Sequence, residues 1–377
     1  MVNLNAVLAL ADGSVYRGLG FGAPGKISGE LVFDTTMTGY EEALTDPSFV
    51  GQILTMTYPL IGNYGVADQS QHPERFESDR IQPSGFVVRE ACKIPSHRDA
   101  VKTIHDFLVE NDTPGIEGVD TREITIRIRS EGVMNAALEV SDGEIDAESV
   151  LEEAESRADY SEFDFIELVS TPKPRFIQAE TCREVGNIGE LTGNRRCVIV
   201  DCGLKRSIST RIAERKFDVI IVPYGSTSDE VMSFEPTFVL VSNGPGDPLR
   251  AIKPQKVIRD LAPDLPMMNI CMGHQLTALA LGGKHYKLKF GHRGGNQPVK
   301  DLDRDNVYIT TQNHGFAIDA DSLLNTGLRV TMTNLNDGSV EGMVHQDYQL
   351  MTTQFHPEAT PGPLDATFLF DEFINSL

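Results

Sequence analysis

The sequence predicts an α/β protein: a doubly wound, mostly parallel sheet in the C-terminal part, with a separate β-rich α+β domain at the N-terminus. Three observations carry this. Beyond residue 193, short and nearly all-apolar runs (Val198-Ile199-Val200, Val219-Ile220-Ile221-Val222, Val239-Leu240-Val241) alternate with helix-favouring stretches, the pattern of strands covered on both faces. Before residue 150, strand-like runs are separated by turn residues and lack that alternation. From residue 168 to 193, periodicity is lost around Pro172, Pro174, Gly186 and Gly189, as at a domain boundary. The expected division is residues 1–150, a connecting segment 151–192, and residues 193–377. A chain of 377 residues with 40% apolar content can supply two cores.

Taken in order, Asp12-Gly13 separates two β-capable runs, so residues 5–22 form a hairpin. A strand over residues 30–34 leads into a hydroxyl-rich segment ending in an Asp46-Pro47-Ser48 turn, whose hydroxyls either bind a ligand or cap local structure. Ile53 to Tyr58 is a strand stopped by Pro59. Val101, Ile104, Phe107 and Leu108 stand at helical spacing, predicting a surface helix over residues 99–110. The acidic stretch 142–161 is helix-compatible. In the second half, strands over 197–201, 217–223 and 238–242 surround a helix over 207–215. Further β-like runs cover 284–290, 307–312, 328–333, 341–345 and 348–354, and a helix over 363–377 closes the chain.

The composition excludes several function classes. With 33 basic against 55 acidic residues the formal charge is −22, which argues against nucleic acid or an anionic membrane as the main partner. The five cysteines are scattered and form no C-x-x-C pair, so neither a disulfide framework nor a zinc ribbon is expected. No apolar run reaches membrane-spanning length, and the chain reads as a cytoplasmic protein.

Three stretches carry chemistry. Met267-Met268-Asn269-Ile270 ends abruptly at Cys271, Gly273 follows, and Leu276 to Leu281 favours helix up to Gly282-Gly283. Strand, tight turn and helix with a thiol at the turn is the cysteine form of a nucleophile elbow, which presents the next backbone N–H to a developing oxyanion. Asn269 stands where that pattern has its first glycine, and a buried structural cysteine is the competing reading. The turn Asn243-Gly244-Pro245-Gly246-Asp247 follows the strand 238–242 and belongs on the same sheet edge, where ligands of open α/β sheets bind; a plain turn is its alternative. Gln354-Phe355-His356-Pro357-Glu358 ends a later strand. His356 suits a general base to Cys271 and Glu358 a carboxylate orienting the imidazole, against the competing reading of a structural histidine. The remaining histidines match no zinc spacing, so no metal site is expected.

Ser242 to Pro248, Ile270 to Gln275 and Gln354 to Glu358, in that order, resemble the three signatures of class I glutamine amidotransferases. Residues 289–299 and 312–317, with 33–42, 44–48, 57–65 and 119–125 in the first half, resemble the small-subunit family of carbamoyl-phosphate synthetases, so that the likeness covers nearly the whole chain. The resemblance implies Cys271 as nucleophile, His356 as base and Glu358 as its orienting carboxylate. It also implies a glutamine pocket of Ser48, Gly244, Gly246, Met272, Gln275, Asn313, Gly315 and Phe316, the first of these supplied across a domain interface. Met272 replaces a frequent leucine, at a position whose role belongs to the backbone N–H. The implied partners are L-glutamine and a large synthetase subunit. That subunit is expected to hold ATP and a divalent metal and to make carbamoyl phosphate for arginine and pyrimidine synthesis; no cofactor is expected on this chain, which has no P-loop motif. The alternatives are another class I amidotransferase chain, a different cysteine hydrolase and a catalytically silent binding subunit. The last would lack a triad member, and the second does not predict the glycine turn together with the Ser48 loop.

Overall fold

The computed structural model describes residues 4–377, which divide into two compact units between Phe163 and Asp164. In the first unit seven strands close into a barrel, in the order Leu4–Leu10, Val15–Gly22, Pro114–Glu117, Gly85–Val87, Gln52–Met56, Gly25–Asp34, Met134–Ser141. The expected hairpin is present, with Leu8 opposite Tyr16 in antiparallel register. Phe21, Leu44, Phe49, Leu54, Phe76, Phe86 and Leu108 form one buried core of this unit. The surface helix is shorter than its spacing suggests. It runs Ile104–Glu110, because Thr103 and Asp106 form a capping box that starts it there, and Val101 lies outside it and exposed. The acidic stretch contributes the helix Ala147–Ser156, whose Val150 and Ala154 pack on Val7 and Ala137.

The second unit is built on an eleven-stranded sheet. Its centre is parallel, in the order Asp218–Pro223, Arg196–Asp201, Phe238–Val241, Met267–Ile270, Leu350–Thr353. Numbered along the chain these are strands 2-1-3-4-5, so the direction of winding reverses between Arg196–Asp201 and Phe238–Val241, and a ligand crevice is expected at their carboxyl ends. Alternate residues go to opposite faces. Val198, Val200, Val239 and Val241 join one core with Val257, Ile258 and Leu276, while Cys197, Ile199, Leu240 and Ile270 join another with Ile208, Ile212, Phe370 and Phe373. Both edges are extended antiparallel. Val340–His345, Leu328–Asn334, His285–Asp301 and Asn306–Ile318 follow Leu350–Thr353 on one side. Arg175–Gln178 and Arg183–Val185 follow Asp218–Pro223 on the other, so the residues expected to connect the domains are divided between the units: up to Phe163 they belong to the first and from Asp164 to the second. The C-terminal helix begins at Phe368, after a 3₁₀ turn, and ends at Asn375.

Candidate active site

Cys271 sits at the junction of the strand Met267–Ile270 and the helix Met272–Ala280, with φ 55° and ψ −100°. This left-handed backbone is costly for any residue with a Cβ and persists only where its surroundings hold it. They do so from several directions. The Cys271 N–H donates to Thr353 O at 2.7 Å, and the Gly273 N–H donates to Ser242 O at 3.1 Å. A Cβ on Gly273 would lie 2.1 Å from Val241 O, so only glycine lets the helix approach the strand this closely. Asn269 explains its own departure from the elbow pattern. Its Oδ1 accepts the Val241 N–H at 2.9 Å, and its Nδ2 donates to Thr277 Oγ1 at 2.8 Å, which in turn donates to Gly273 O at 2.7 Å. All of these groups are buried, and together they tie the glycine-turn strand to the first turn of the elbow helix.

His356 follows the strand Leu350–Thr353, and its Nδ1 lies 2.7 Å from Glu358 Oε1. Both side chains are fully buried, and the other ring nitrogen, Nε2, has no hydrogen-bond partner. Lys205, itself buried, places Nζ 2.9 Å from the same Glu358 oxygen and donates to Thr360 O at 2.5 Å. Burial is the largest influence on the His356 ring and opposes its charge, as does Lys205, while the adjacent Glu358 carboxylate is the strongest influence in the other direction. With a further contribution from Cys271, it pushes the imidazole up to about 10. Burial likewise opposes ionisation of Glu358, but Lys205 and His356 together hold it down at about 2. The arrangement therefore favours a charged imidazolium beside the thiol.

The glycine turn is held from the neighbouring strand. Ser242 Oγ accepts the Cys202 N–H at 2.9 Å, Asn243 Oδ1 accepts the Lys205 N–H at 3.1 Å, and a Cβ on Gly244 would meet Cys202 O at 2.0 Å. Gly246 has φ 91°. Cys271 Sγ lies 3.6 Å from Asn313 O. Gln275 donates to Phe316 O at 3.0 Å and to Gln354 Oε1 at 3.1 Å, and Met272 opens the elbow helix. Gly315 separates Asn313 from Phe316 on the strand Asn306–Ile318. The second unit thus brings Cys271, His356, Glu358, Asn313, Gln275 and Phe316 to the crevice edge, with the Gly244 turn bonded to the elbow through Ser242. Ser48 belongs to the first unit, where its N–H donates to Asp46 Oδ1 at 2.9 Å within the turn Pro47–Phe49. The nearby Thr45 hydroxyl serves local structure, accepting the Glu77 N–H and donating to Glu41 O. Sequence reasoning singled out Asn269 only as a departure from the elbow pattern and missed Lys205. The signal for Lys205 was its place just beyond the strand Arg196–Asp201, on the ligand edge of the sheet.

Similarity to known proteins covers both units. The family described as "Carbamoyl-phosphate synthase small chain, CPSase domain" matches residues 8–138, and "Glutamine amidotransferase class-I" matches residues 198–376. The carbamoyl phosphate synthase small chain of Methanosarcina acetivorans is 48% identical over 97% of this chain and 97% of its own length. That of Methanopyrus kandleri is 48% identical over 98% of each. Among solved structures, a glutamine amidotransferase of Thermotoga maritima aligns with TM-score 0.36 and 18% identity, over 49% of this chain and 84% of the other.

Proposed function

The chain belongs to the carbamoyl phosphate synthase small-chain family, as the glutamine amidotransferase subunit of that ligase, and on this premise we propose that Cys271, His356 and Glu358 hydrolyse glutamine through a γ-glutamyl thioester. The observation that carries the reading is the buried His356–Glu358 pair at 2.7 Å, with the second ring nitrogen unbonded and the ring charge-coupled to a thiol on a strained turn.

The steps follow from these groups. Cys271, having given its proton to His356, attacks as thiolate the side-chain carboxamide carbon of glutamine, forming a C–S bond while the carbonyl π electrons move to oxygen as an oxyanion. Backbone N–H groups of Met272 and of the Gly244 turn receive that oxyanion, and each such donor is commonly worth about 3 kcal/mol in the transition state. Collapse breaks the C–N bond while the His356 imidazolium protonates the leaving nitrogen, releasing ammonia. His356, now neutral, takes a proton from water. The resulting hydroxide adds to the thioester carbonyl, the C–S bond breaks, glutamate leaves and the thiol is restored. Glu358 keeps the ring in register through both proton transfers, and Lys205 keeps Glu358 ionised. The glutamine contacts in this reading are Ser48, Gly244, Gly246, Met272, Gln275, Asn313, Gly315 and Phe316.

The ammonia feeds carbamoyl phosphate synthesis on a large subunit, which holds ATP and a divalent metal, in the cytoplasm and in the service of arginine and pyrimidine synthesis. Among the described residues no helix is long and apolar enough to cross a membrane. The test is glutamate release by the purified chain, alone and with a large subunit. Turnover in neither setting would refute the reading.

A further inference from the structure

Three buried side chains from separate strands, none of them a triad member, converge: His292, His314 and Glu341, whose candidate ligand atoms all lie within 4.8 Å of one another. Their neighbours decide which ring nitrogens carry protons. His292 Nε2 is 2.9 Å from Asp337 Oδ2, a carboxylate that takes the N–H, so Nδ1, which faces the Glu341 carboxylate, is the nitrogen that an ion can hold in place of a proton. The Asn334 amide nitrogen, 3.5 Å from Nδ1, is in keeping with a lone pair there. His314 Nδ1 is 2.8 Å from Phe316 O, a carbonyl that can only accept, so the proton sits on Nδ1 and the Nε2 lone pair is free. That lone pair meets another acceptor, Gln312 Oε1, at 3.0 Å. Glu341 is wholly buried. Its Oε1 is 3.6 Å from His292 Nδ1, and its Oε2 has no hydrogen-bond partner. Glu341 Oε1 accepts from Asn334 Nδ2 at 3.3 Å and from Ser339 Oγ at 3.5 Å, so two imidazole nitrogens and the unpaired Oε2 share the pocket. Each imidazole is oriented by an acceptor on its far nitrogen, the outer-shell arrangement of metal-binding histidines.

We propose that His292, His314 and Glu341 supply three ligands to one divalent transition ion of the zinc class, with the fourth position taken by the adjacent Gln312 Oε1 or by water. Two imidazoles and a carboxylate suit zinc, and the carboxylates of Glu341 and Asp337 neutralise its charge. Tetrahedral coordination at about 2.1 Å places ligand atoms about 3.4 Å apart, close to the 3.6 Å between His292 and Glu341 and within the 4.8 Å that bounds all three. Spacing along the chain hides the site, because its ligands come from the strands His285–Asp301, Asn306–Ile318 and Val340–His345. The ion has no part in the glutaminase steps, and the inference does not depend on them.

The test uses tag-free full-length chain, with Cys271→Ser in the background to remove thiol binding at the elbow. Elemental analysis after purification without chelator, and titration of the chelated protein with Zn²⁺ and Co²⁺, are expected to give one equivalent. A Co²⁺ visible absorption band and a melting temperature raised by a few degrees should accompany it, with no response to Mg²⁺. Asp337→Asn should weaken binding about 10- to 100-fold by releasing the proton that orients His292, and Glu341→Gln should abolish it. Absence of bound metal together with no shift on adding Zn²⁺ or Co²⁺ would overturn the proposal and leave the cluster as an ion pair satisfied by a proton or by rotation of the Gln312 amide. Unchanged affinity in Glu341→Gln would overturn it equally.

Discussion

Two buried histidine–glutamate pairs stand in the sheet of the second unit, and their differences show how neighbours assign roles to the same side chains. Glu358 touches His356 at 2.7 Å and is itself held by Lys205 at 2.9 Å, so one cation and one imidazole share its charge. In the proposed mechanism the carboxylate is an orienting group, and the ring's other nitrogen is left for proton transfer. Glu341 stands 3.6 Å from His292, which Asp337 already holds from the opposite side. There is no ion pair from Lys or Arg to Glu341 among the described residues, and its second oxygen has no hydrogen bond. The lysine beside the first pair helps to hold Glu358 ionised; beside the second, Asn334 and Ser339 give Glu341 neutral donors, and the positive charge must come from His292 or, as proposed, from an ion.

Four substitutions test this contrast, in falling order of effect. Cys271→Ser should reduce glutamine turnover at least about 10⁴-fold while ammonia-dependent synthesis by the assembled enzyme continues, since a hydroxyl is far less ionised than a thiol at neutral pH. Retained glutaminase would remove Cys271 from the mechanism. Glu358→Gln should reduce turnover about 10²- to 10⁴-fold and move the profile of kcat/KM against pH. Glu358 raises the His356 pKa, so its loss lowers that pKa, and the alkaline limb, where the imidazolium is lost, shifts to lower pH. An unshifted limb would assign it to another group. Asn269→Gly strands the buried Val241 N–H, costing about 1–3 kcal/mol in urea unfolding, and should lower kcat several-fold with KM little changed. A rise in KM alone would mean that the Asn269 tie shapes the pocket and not the elbow. Glu341→Gln should leave glutaminase within about twofold and the pH profile in place; a pH shift like that of Glu358→Gln would erase the distinction between the two pairs.

Much of this was legible where local pattern and tertiary role coincide. The run Met267 to Gly283 reads as strand, turn and helix because its apolar period changes at Cys271, and the barrel hairpin is marked by Asp12-Gly13. Where an element's start depends on one polar contact the pattern overreaches: Val101 fits the helical spacing, but the Thr103 capping box begins the helix after it. The antiparallel flanks were visible as β-like runs. Their pairing order was not, since the register between His285–Asp301 and Asn306–Ile318 is set by long-range contact and interrupted by bulges. Lys205 escaped for a physical reason. A lysine in sequence reads as solvated surface, and only the placement of Glu358 beside it, from a segment about 150 residues away, makes its burial tolerable.

The central claim is a covalent γ-glutamyl thioester on Cys271, and trapping it is the most direct measurement. The wild-type chain is mixed with glutamine, quenched in acid within the first turnovers, digested, and the peptide bearing Cys271 is weighed by mass spectrometry. A mass increase of one glutamyl group on that peptide, lost on treatment with hydroxylamine and absent from Cys271→Ser, is the expected result. Glutamate release at full rate with Cys271 unmodified at every quench time, in a chain whose Cys271→Ser variant remains active, would contradict the account.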